Sequence, residues 1–199
     1  MTRPRICVVG ASNLDLISFV PRLPRMGETL HGTRFHMGYG GKGANQAVMA
    51  AKLGGDVAMV TKLGRDPFGE NTFKNFESWR IDTHHVLFTD QAFSGVAPIA
   101  VDPDGHNAII IVTGANDLLT EEEIEAARAT IDASQILLCQ LEITVEVSLA
   151  AMRVARQQGV RTILNPAPGR SDLPEEFYQL SDIFCPNETE AELLAGSVV

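Results

Sequence analysis

The sequence predicts an α/β protein with a mainly parallel sheet, because short β-rich runs alternate with amphipathic stretches along the chain. The first run, residues 6–10, is apolar on both faces, as expected for a strand that helices cover on both sides. Two extended segments interrupt this alternation and have no crossover helix attached. With 45% hydrophobic residues in 199, the chain can fill one large core. We therefore expect one α/β core and a small β unit projecting from it.

Five runs are predicted as core strands, and five stretches between them as helices. The strands are residues 6–10, 57–61, 135–140, 161–164 and 182–185. The helices are residues 44–53, a stretch starting near 69, and residues 121–131, 145–158 and 189–195. Two helix starts carry a capping-box pair, Thr120 with Glu123 and Asn187 with Glu190. Gly159 and Gly196 are the predicted terminators of two helices.

The projecting β unit is predicted from residues 28–37 and from a hairpin of residues 95–101 and 107–112. Pro103, Asp104 and Gly105 suit the turn of that hairpin. We expect the unit to span approximately residues 15–42 and 94–113, inserted into one domain of residues 1–199.

Composition and charge exclude several classes of partner. The net charge is -9 and no basic cluster occurs, which argues against nucleic acid. The longest apolar runs, near residues 108–112 and 136–139, are too short to cross a membrane, and the run after Arg5 is too short for a secretory signal. Cys7, Cys139 and Cys185 each lie in an apolar run and are interpreted as buried thiols. A reducing compartment, the cytoplasm or the nucleus, is expected.

A glycine-rich stretch, residues 38–47, is the most informative motif (GYGGKGANQA). Its glycines allow backbone to approach a ligand, and the helix that follows would point N–H groups at oxygen acceptors. It does not match a phosphate-binding P-loop, because His36 stands where that pattern needs glycine and Lys42 is followed by Gly43. The spacing of Gly38, Gly40 and Gly43 matches a dinucleotide fingerprint, but the stretch follows a strand of the β unit rather than the first core strand.

The same stretch looks like the first signature of the ribokinase-type (PfkB) carbohydrate kinases, and the whole chain resembles that family. The resemblance continues, in order, through residues 24–29 (PRMGET), 114–116 (GAN), 140–142 (QLE), 165–168 (NPAP) and 186–190 (PNETE). It implies a ribokinase-like three-layer α/β core with a mainly parallel sheet, and it implies that the small β unit is an inserted lid.

The resemblance also implies which residues bind a sugar. These candidates are Asn13, Asp15, Gly41, Lys42, Gly43, Asn45 and Glu142. Their chemistry suits a polyol, since carboxylates and amides recognise hydroxyl groups by paired hydrogen bonds. Structural roles stay open for three of them: Asn13 and Asp15 as turn residues, and Glu142 as a charge at a helix N-terminus. Lys42, taken alone, is equally typical of a solvated surface residue.

By the same resemblance, Asn187 contacts the phosphates of ATP and Glu190 helps to organise the water shell of Mg²⁺, as a metal contact through water. Both residues are equally suited to an ordinary capping pair. Asn165 stands at another strand end without an assigned role. K⁺ is expected as an activator of the full-length enzyme, with no ligand in this chain.

The activity that the resemblance implies is ATP-dependent phosphorylation of D-ribose at O5, which yields D-ribose 5-phosphate. The family members dimerise through such lids, so a homodimer is expected. The alternatives are another sugar kinase of this family, such as a deoxyribokinase or fructokinase, and a non-catalytic sugar-binding or regulatory fragment. The catalytic aspartate of the family's second signature has no counterpart before Val199. We therefore expect no catalytic residue in this chain, and an inactive fragment if nothing follows it.

Overall fold

The computed structural model describes residues 3–197 and contains two sheets in that range. The larger sheet has six strands, and every neighbouring pair runs parallel. In sheet order, with strands numbered along the chain, they are β10 (Ile183–Phe184), β9 (Arg161–Leu164), β8 (Ile136–Cys139), β1 (Arg5–Val9), β4 (Asp56–Gly64) and β5 (Asp82–Thr89). All five predicted core strands lie in this sheet, which confirms the mainly parallel α/β fold.

The second sheet has four strands and mixed directions. In sheet order they are β3 (Arg34–Gly40), β2 (Asn13–Phe19), β6 (Gly95–Val101) and β7 (Asn107–Ile109). β2 is antiparallel to β3 and parallel to β6, while β6 and β7 form the predicted antiparallel hairpin. Gly105 has a φ of 85° in the hairpin turn, a conformation that glycine adopts without steric cost.

Helices cover both faces of the six-stranded sheet. They are α1 (Lys42–Lys52), α2 (Pro67–Ser78), α3 (Glu121–Ala126), α4 (Arg128–Asp132), α5 (Val145–Gln157), α6 (Glu176–Leu180) and α7 (Glu188–Ala195), with a 3₁₀-helix at Gly114–Leu118. Cys7 and Val9 of β1 join a buried cluster with residues of α3 to α6, and Val8 joins a separate cluster with α1 and α2. Alternate side chains of one strand therefore fill two cores, which explains why residues 6–9 are all apolar.

Several predicted element bounds differ from the structure. Residues 28–33 form no strand, and β3 begins only at Arg34. In the glycine-rich stretch, β3 continues to Gly40, and α1 begins at Lys42 rather than at the predicted residue 44. The predicted helix 121–131 is divided at Ala127 into α3 and α4. Strands β2 and β5 were not predicted, because polar residues interrupt their apolar pattern.

The predicted helix ends are confirmed. Both capping boxes form, and Gly159 and Gly196 have left-handed φ angles of 70° and 66°. Cys7 and Cys139 are buried, and burial raises the pKa of Cys7 to about 12. The prediction for Cys185 is wrong, because this thiol lies just past the end of β10 and is exposed. Within residues 3–197, no helix is both long and apolar enough to cross a membrane.

Candidate functional site

A cleft of about 280 Å³ opens where the two sheets meet, beyond the carboxyl end of β8. Asn13, Thr113, Asp117, Glu142 and Pro168 supply its polar and turn residues. In open parallel sheets, ligands bind at the carboxyl ends of the strands, because the loops there converge. The position of the cleft therefore agrees with the general rule for ligand sites in such folds.

Two glycines allow α1 to begin directly against the segment that joins β1 to β2. Gly41 has a φ of 86°, and a Cβ atom there would lie 2.7 Å from the Ala11 carbonyl oxygen. A Cβ atom on Gly43 would lie 2.7 Å from the carbonyl carbon of Gly10. The Ala44 N–H donates to the Ala11 carbonyl oxygen across this contact at 3.0 Å. These glycines are thus explained by close backbone packing, which brings the N-terminus of α1 to the cleft.

Lys42 and Glu142 form a two-point contact at the cleft. The backbone N–H of Lys42 donates to one carboxylate oxygen of Glu142 at 2.7 Å, and the Lys42 ammonium donates to the other at 2.7 Å. The Glu142 side chain is only 8% exposed, so this pairing satisfies a carboxylate that is largely removed from water. Residues a hundred positions apart in the chain are thereby joined.

Asp15 lies on β2, and its neighbours across the second sheet are small. Gly38 and Ala97 stand opposite it in register, and a Cβ atom on Gly40 would lie only 2.2 Å from an Asp15 carboxylate oxygen. Burial, and then the charge of Glu142, raise the pKa of Asp15. Asp15 is therefore close enough to Glu142 for the two carboxylates to influence each other.

Asn13, the first residue of β2, is held by Asn116 of the 3₁₀-helix. The Asn116 amino group donates to the Asn13 side-chain oxygen at 2.8 Å, and both residues are buried. The Asn116 oxygen accepts from the backbone N–H of Ser12 at 2.9 Å. This pairing connects β2 to the segment that returns from the second sheet to the core.

A chain of side-chain amides joins the carboxyl ends of β8 and β9 to the first half of α1. Gln140 donates to Gln46 at 2.6 Å, Gln46 donates to Asn165 at 3.4 Å, and Asn165 donates to the Cys185 carbonyl oxygen at 3.0 Å. The Gln140 oxygen is buried and has no hydrogen-bond partner among residues 3–197. It lies against Gly10, where a Cβ atom would come within 2.0 Å of it.

The remaining predicted residues lie elsewhere. The Asn45 side chain is exposed and lines a separate groove between α1 and α2, beside Tyr39 and Trp79. Asn187 and Glu190 lie at the start of α7, after the edge strand β10. The Asn187 oxygen accepts from the Glu190 N–H at 2.7 Å, and a Glu190 oxygen accepts from the Asn187 N–H at 2.9 Å. Their capping role is therefore realised.

One group of potential metal ligands occurs among residues 3–197, at the turn of the β6–β7 hairpin. It consists of Asp102, Asp104 and His106. Asp102 uses one carboxylate oxygen to accept the backbone N–H groups of Asp104 and His106, and the other faces the His106 ring. These contacts are those of a turn closed by an aspartate side chain, which agrees with the turn role predicted from the sequence.

Comparison with known proteins identifies the family. The model of the pfkB family carbohydrate kinases matches residues 3–198. The chain belongs to the pfkB family. It is 46% identical over 194 residues to the ribokinase of Mus musculus, covering 98% of this chain and 60% of that protein. It is 43% identical over 194 residues to the deoxyribokinase of Salmonella typhi, covering 98% of this chain and 63% of that protein.

Solved structures agree with the fold of this pfkB-family chain. The structure of Arabidopsis thaliana ribokinase complexed with ribose and ATP superposes with a TM-score of 0.86 at 31% identity. That match covers 98% of this chain and 64% of the Arabidopsis chain. The core and the small mixed sheet thus form the ribokinase-like α/β fold. The chain spans about three fifths of the length of the relatives that it matches.

The sequence prediction assigned no role to three amide residues that join distant segments of this pfkB-family chain. Asn116, Gln140 and Gln46 all lie in segments that carry the family resemblance, yet no role was assigned to them. A usable signal was present for Gln140, which is an amide directly after the apolar strand β8. Their partners could not be found from sequence, since 104 positions separate Ser12 from Asn116 and 94 separate Gln46 from Gln140.

Proposed function

We propose that this chain forms the sugar-binding part of an ATP-dependent kinase that phosphorylates D-ribose at O5 to give D-ribose 5-phosphate. The observation that carries the proposal is that Asn13 and Glu142 line one cleft, while Lys42 pairs with Glu142 and Asp15 lies close enough to feel the Glu142 charge. Two carboxylates, an amide and an ammonium group offer both acceptors and donors to sugar hydroxyl groups. Family membership and the 46% identity to a ribokinase support the same substrate class.

Each residue has a distinct part in this proposal. Asp15 accepts hydrogen bonds from sugar hydroxyl groups, and Glu142 does so while Lys42 balances its charge. Gly41 and Gly43 bring backbone N–H groups of the α1 N-terminus within reach of the ligand, where they favour oxygen acceptors. Asn45 contacts the sugar only if its exposed side chain turns away from the groove that it lines. Among the proposed sugar contacts, Asn45 therefore has the least structural support.

ATP is the proposed phosphoryl donor, and the start of α7 is the proposed contact for its phosphates. The Asn187 amino group is exposed and is a suitable donor to phosphate oxygens, because only its oxygen is used in the capping box. Glu190 has one carboxylate oxygen outside the capping box, which fits a water molecule of a hydrated Mg²⁺ ion. Mg²⁺ would neutralise charge on the phosphates. K⁺ remains an expected activator without an assigned ligand in this chain.

A second candidate substrate is 2-deoxy-D-ribose, since a deoxyribokinase is 43% identical to this chain. The two sugars differ by one hydroxyl group. A site that pairs buried polar groups with that hydroxyl rejects the deoxy sugar strongly, whereas a site that leaves it in water does not.

Binding calorimetry with D-ribose, 2-deoxy-D-ribose, D-fructose and adenosine tests the sugar proposal. We expect D-ribose to bind most tightly, and Glu142→Gln to weaken binding roughly tenfold because Lys42 loses its charged partner. Glu121→Gln, an exposed change at the start of α3, is the matched control. Tighter binding of 2-deoxy-D-ribose would favour the second candidate, and no binding of any sugar would exclude both. An ADP-release assay with ATP and Mg²⁺ tests whether these 199 residues turn over ribose, which we expect they do not.

We also propose that the second sheet acts as a lid over the cleft and that two lids pack together in a homodimer. Phe35, Met37 and Tyr39 alternate along β3, so they share one face, and all three are exposed. Ile110 is exposed beside β7. A small sheet with this much uncovered apolar surface is typical of an interface.

A further inference from the structure

We infer that Asn116 is a positioning residue that turns the amino group of Asn13 toward the cleft, so that the ligand must present an oxygen acceptor there. The inference rests on the proposed function of the cleft as a sugar site. It adds a residue that acts through Asn13, and it specifies which atom of Asn13 meets the ligand.

Backbone groups fix the orientation of the Asn116 side chain. The Ser12 N–H can only donate, so the atom of Asn116 that lies 2.9 Å from it is the oxygen. The carbonyl oxygens of Thr113 and Ser12 can only accept, and they lie 2.8 Å and 3.2 Å from the other atom, which is therefore the nitrogen. The hydrogen bonds to these three backbone groups are all compatible with only one orientation of the Asn116 amide.

Asn116 in turn fixes Asn13. The Asn116 amino group lies 2.8 Å from the side chain of Asn13, so the atom of Asn13 that faces it must be the oxygen. Gly95 leaves room for the pair, because a Cβ atom there would lie 2.1 Å from the Asn13 oxygen and 2.3 Å from the Asn116 nitrogen. The Asn13 nitrogen has no hydrogen-bond partner within residues 3–197, and Asn13 lines the cleft. The free donor of Asn13 is therefore the atom available to a ligand.

The 3₁₀-helix that carries Asn116 is anchored independently of any ligand. The Lys62 ammonium donates to the Leu118 carbonyl oxygen at 2.6 Å and pairs with Glu123 of α3 at 2.7 Å. Lys62 is only 9% exposed, so this contact lies within the core. Asn116 is thus fixed by the backbone partners of its own side chain and by the Lys62 contact to its helix. It can therefore orient Asn13 before a ligand binds.

The orientation sets a chemical requirement on the ligand. Asn13 and Asp15 lie two residues apart on β2 and therefore face the same side of the second sheet. Asn13 offers a donor, and an ionised Asp15 offers only acceptors. A hydroxyl group can accept from Asn13 and donate to Asp15 at once, whereas a carbonyl oxygen can only accept and a deoxy carbon can do neither. The pair therefore selects a free hydroxyl group on the sugar.

Hydrogen exchange of side-chain amides, followed by NMR, tests the orientation without any ligand. In the free protein we expect slow exchange for the Asn116 amino group, which donates to three acceptors, and faster exchange for that of Asn13, which lines the cleft and has no acceptor within residues 3–197. Asn13→Ala and Asn116→Ala identify the two signals by their loss, and added D-ribose is expected to slow the Asn13 signal. Slow exchange at Asn13 with fast exchange at Asn116 in the free protein would overturn the inference. Failure of ribose to change either signal would instead count against the proposed function.

A double-mutant cycle tests whether Asn116 acts through Asn13. In ribose calorimetry, Asn13→Ala and Asn116→Ala are each expected to weaken binding roughly tenfold, and the double variant no more than about twofold further. A role of Asn116 in stability alone would not couple to Asn13 in this way. Asn71→Ala, on the exposed face of α2, is the matched control and should leave affinity unchanged. Losses that multiply to about a hundredfold would contradict the inference. If Asn116→Ala does not fold, the exchange experiment on the unmodified protein still decides.

Discussion

At the scale of single residues, the two carboxylates of the proposed sugar site, Glu142 and Asp15, differ in how many hydrogen bonds they already accept. Glu142 already accepts two hydrogen bonds from Lys42, which supplies a positive charge beside it. Asp15 has no cation partner among the described residues 3–197, and burial and the Glu142 charge raise its pKa. A sugar hydroxyl would therefore meet its least satisfied acceptor at Asp15. This difference makes Asp15 the more sensitive probe of ligand binding.

Asp15→Ala is expected to weaken D-ribose binding by about 1–3 kcal/mol, because a hydroxyl partner loses its acceptor in a partly buried site. Calorimetry should show no loss for Asp104→Ala, since Asp104 is exposed in the turn after β6. The raised pKa also sets the sign of the pH dependence. As the pH falls, Asp15 takes up a proton earlier than an ordinary aspartate, so affinity should fall earlier too. Asp15→Asn should remove that dependence, and equal losses for Asp15→Ala and Asp104→Ala would show that Asp15 is not a contact.

At the scale of elements, α2 is joined to the second sheet by one buried aspartate. Asp66 caps α2 by accepting the N–H groups of Phe68 and Gly69 at 2.9 and 2.8 Å. Its other oxygen accepts the Ser94 N–H at 2.7 Å, directly before β6 begins. Burial alone would raise the pKa of Asp66, but the donors from Ser94, Gly69 and Phe68 outweigh it and lower the pKa. Asp66 thus fixes where the chain leaves the core for the second sheet.

Asp66→Asn is expected to reduce the free energy of unfolding by about 1–3 kcal/mol, because an amide nitrogen cannot accept the donors that the carboxylate accepts. Since the folded-state pKa is lowered, the stability from Asp66 is fully present above its unfolded pKa of about 4 and is lost as the pH falls through the folded value. Urea unfolding at neutral and acidic pH should therefore show a difference between wild type and variant that shrinks in acid. Asp90→Asn, at an exposed ion pair with Arg65, should change little at either pH. A pH-independent difference would mean that the loss is not electrostatic.

Elements with a regular apolar pattern were predictable from the sequence, and those with a broken pattern were not. β1 and β8 are short, mainly apolar runs with both faces covered, so their sequence alone identifies them. β2 carries Asn13 and Asp15 at its start, and these residues are uncommon in strands, so no strand was predicted there. Asp66 and Asn116 stabilise contacts 28 and 104 positions away, which no local pattern reveals. Resemblance to a family supplied the candidate site residues, and only the fold showed which of these residues lie close together.

At the scale of the whole molecule, the two sheets have unequal shares of the hydrophobic core. The six-stranded sheet has helices on both faces, and Cys7, Val8 and Val9 of its strand β1 are fully buried. The second sheet has no helix layer of its own among residues 3–197, and Phe35 and Met37 are 58% and 51% exposed. Because exposed apolar surface of this kind is costly in water, a covering partner is the simplest physical explanation. The proposed homodimer would supply that partner from a second copy of the same sheet.

The final prediction is that the protein dimerises through β3 and that charges on its exposed face prevent this. Phe35 and Met37 are one strand period apart, so Phe35→Glu with Met37→Glu would place two carboxylates in the interface and force their desolvation. Sedimentation at micromolar concentration should show a dimer for the wild type, and the double variant should raise the dissociation constant by at least roughly tenfold. Leu53→Glu is the control, because Leu53 is 81% exposed at the end of α1 and lies outside the second sheet. A monomeric wild type would refute the dimer. An equal effect of Leu53→Glu would show that general charge repulsion, rather than the β3 face, controls association.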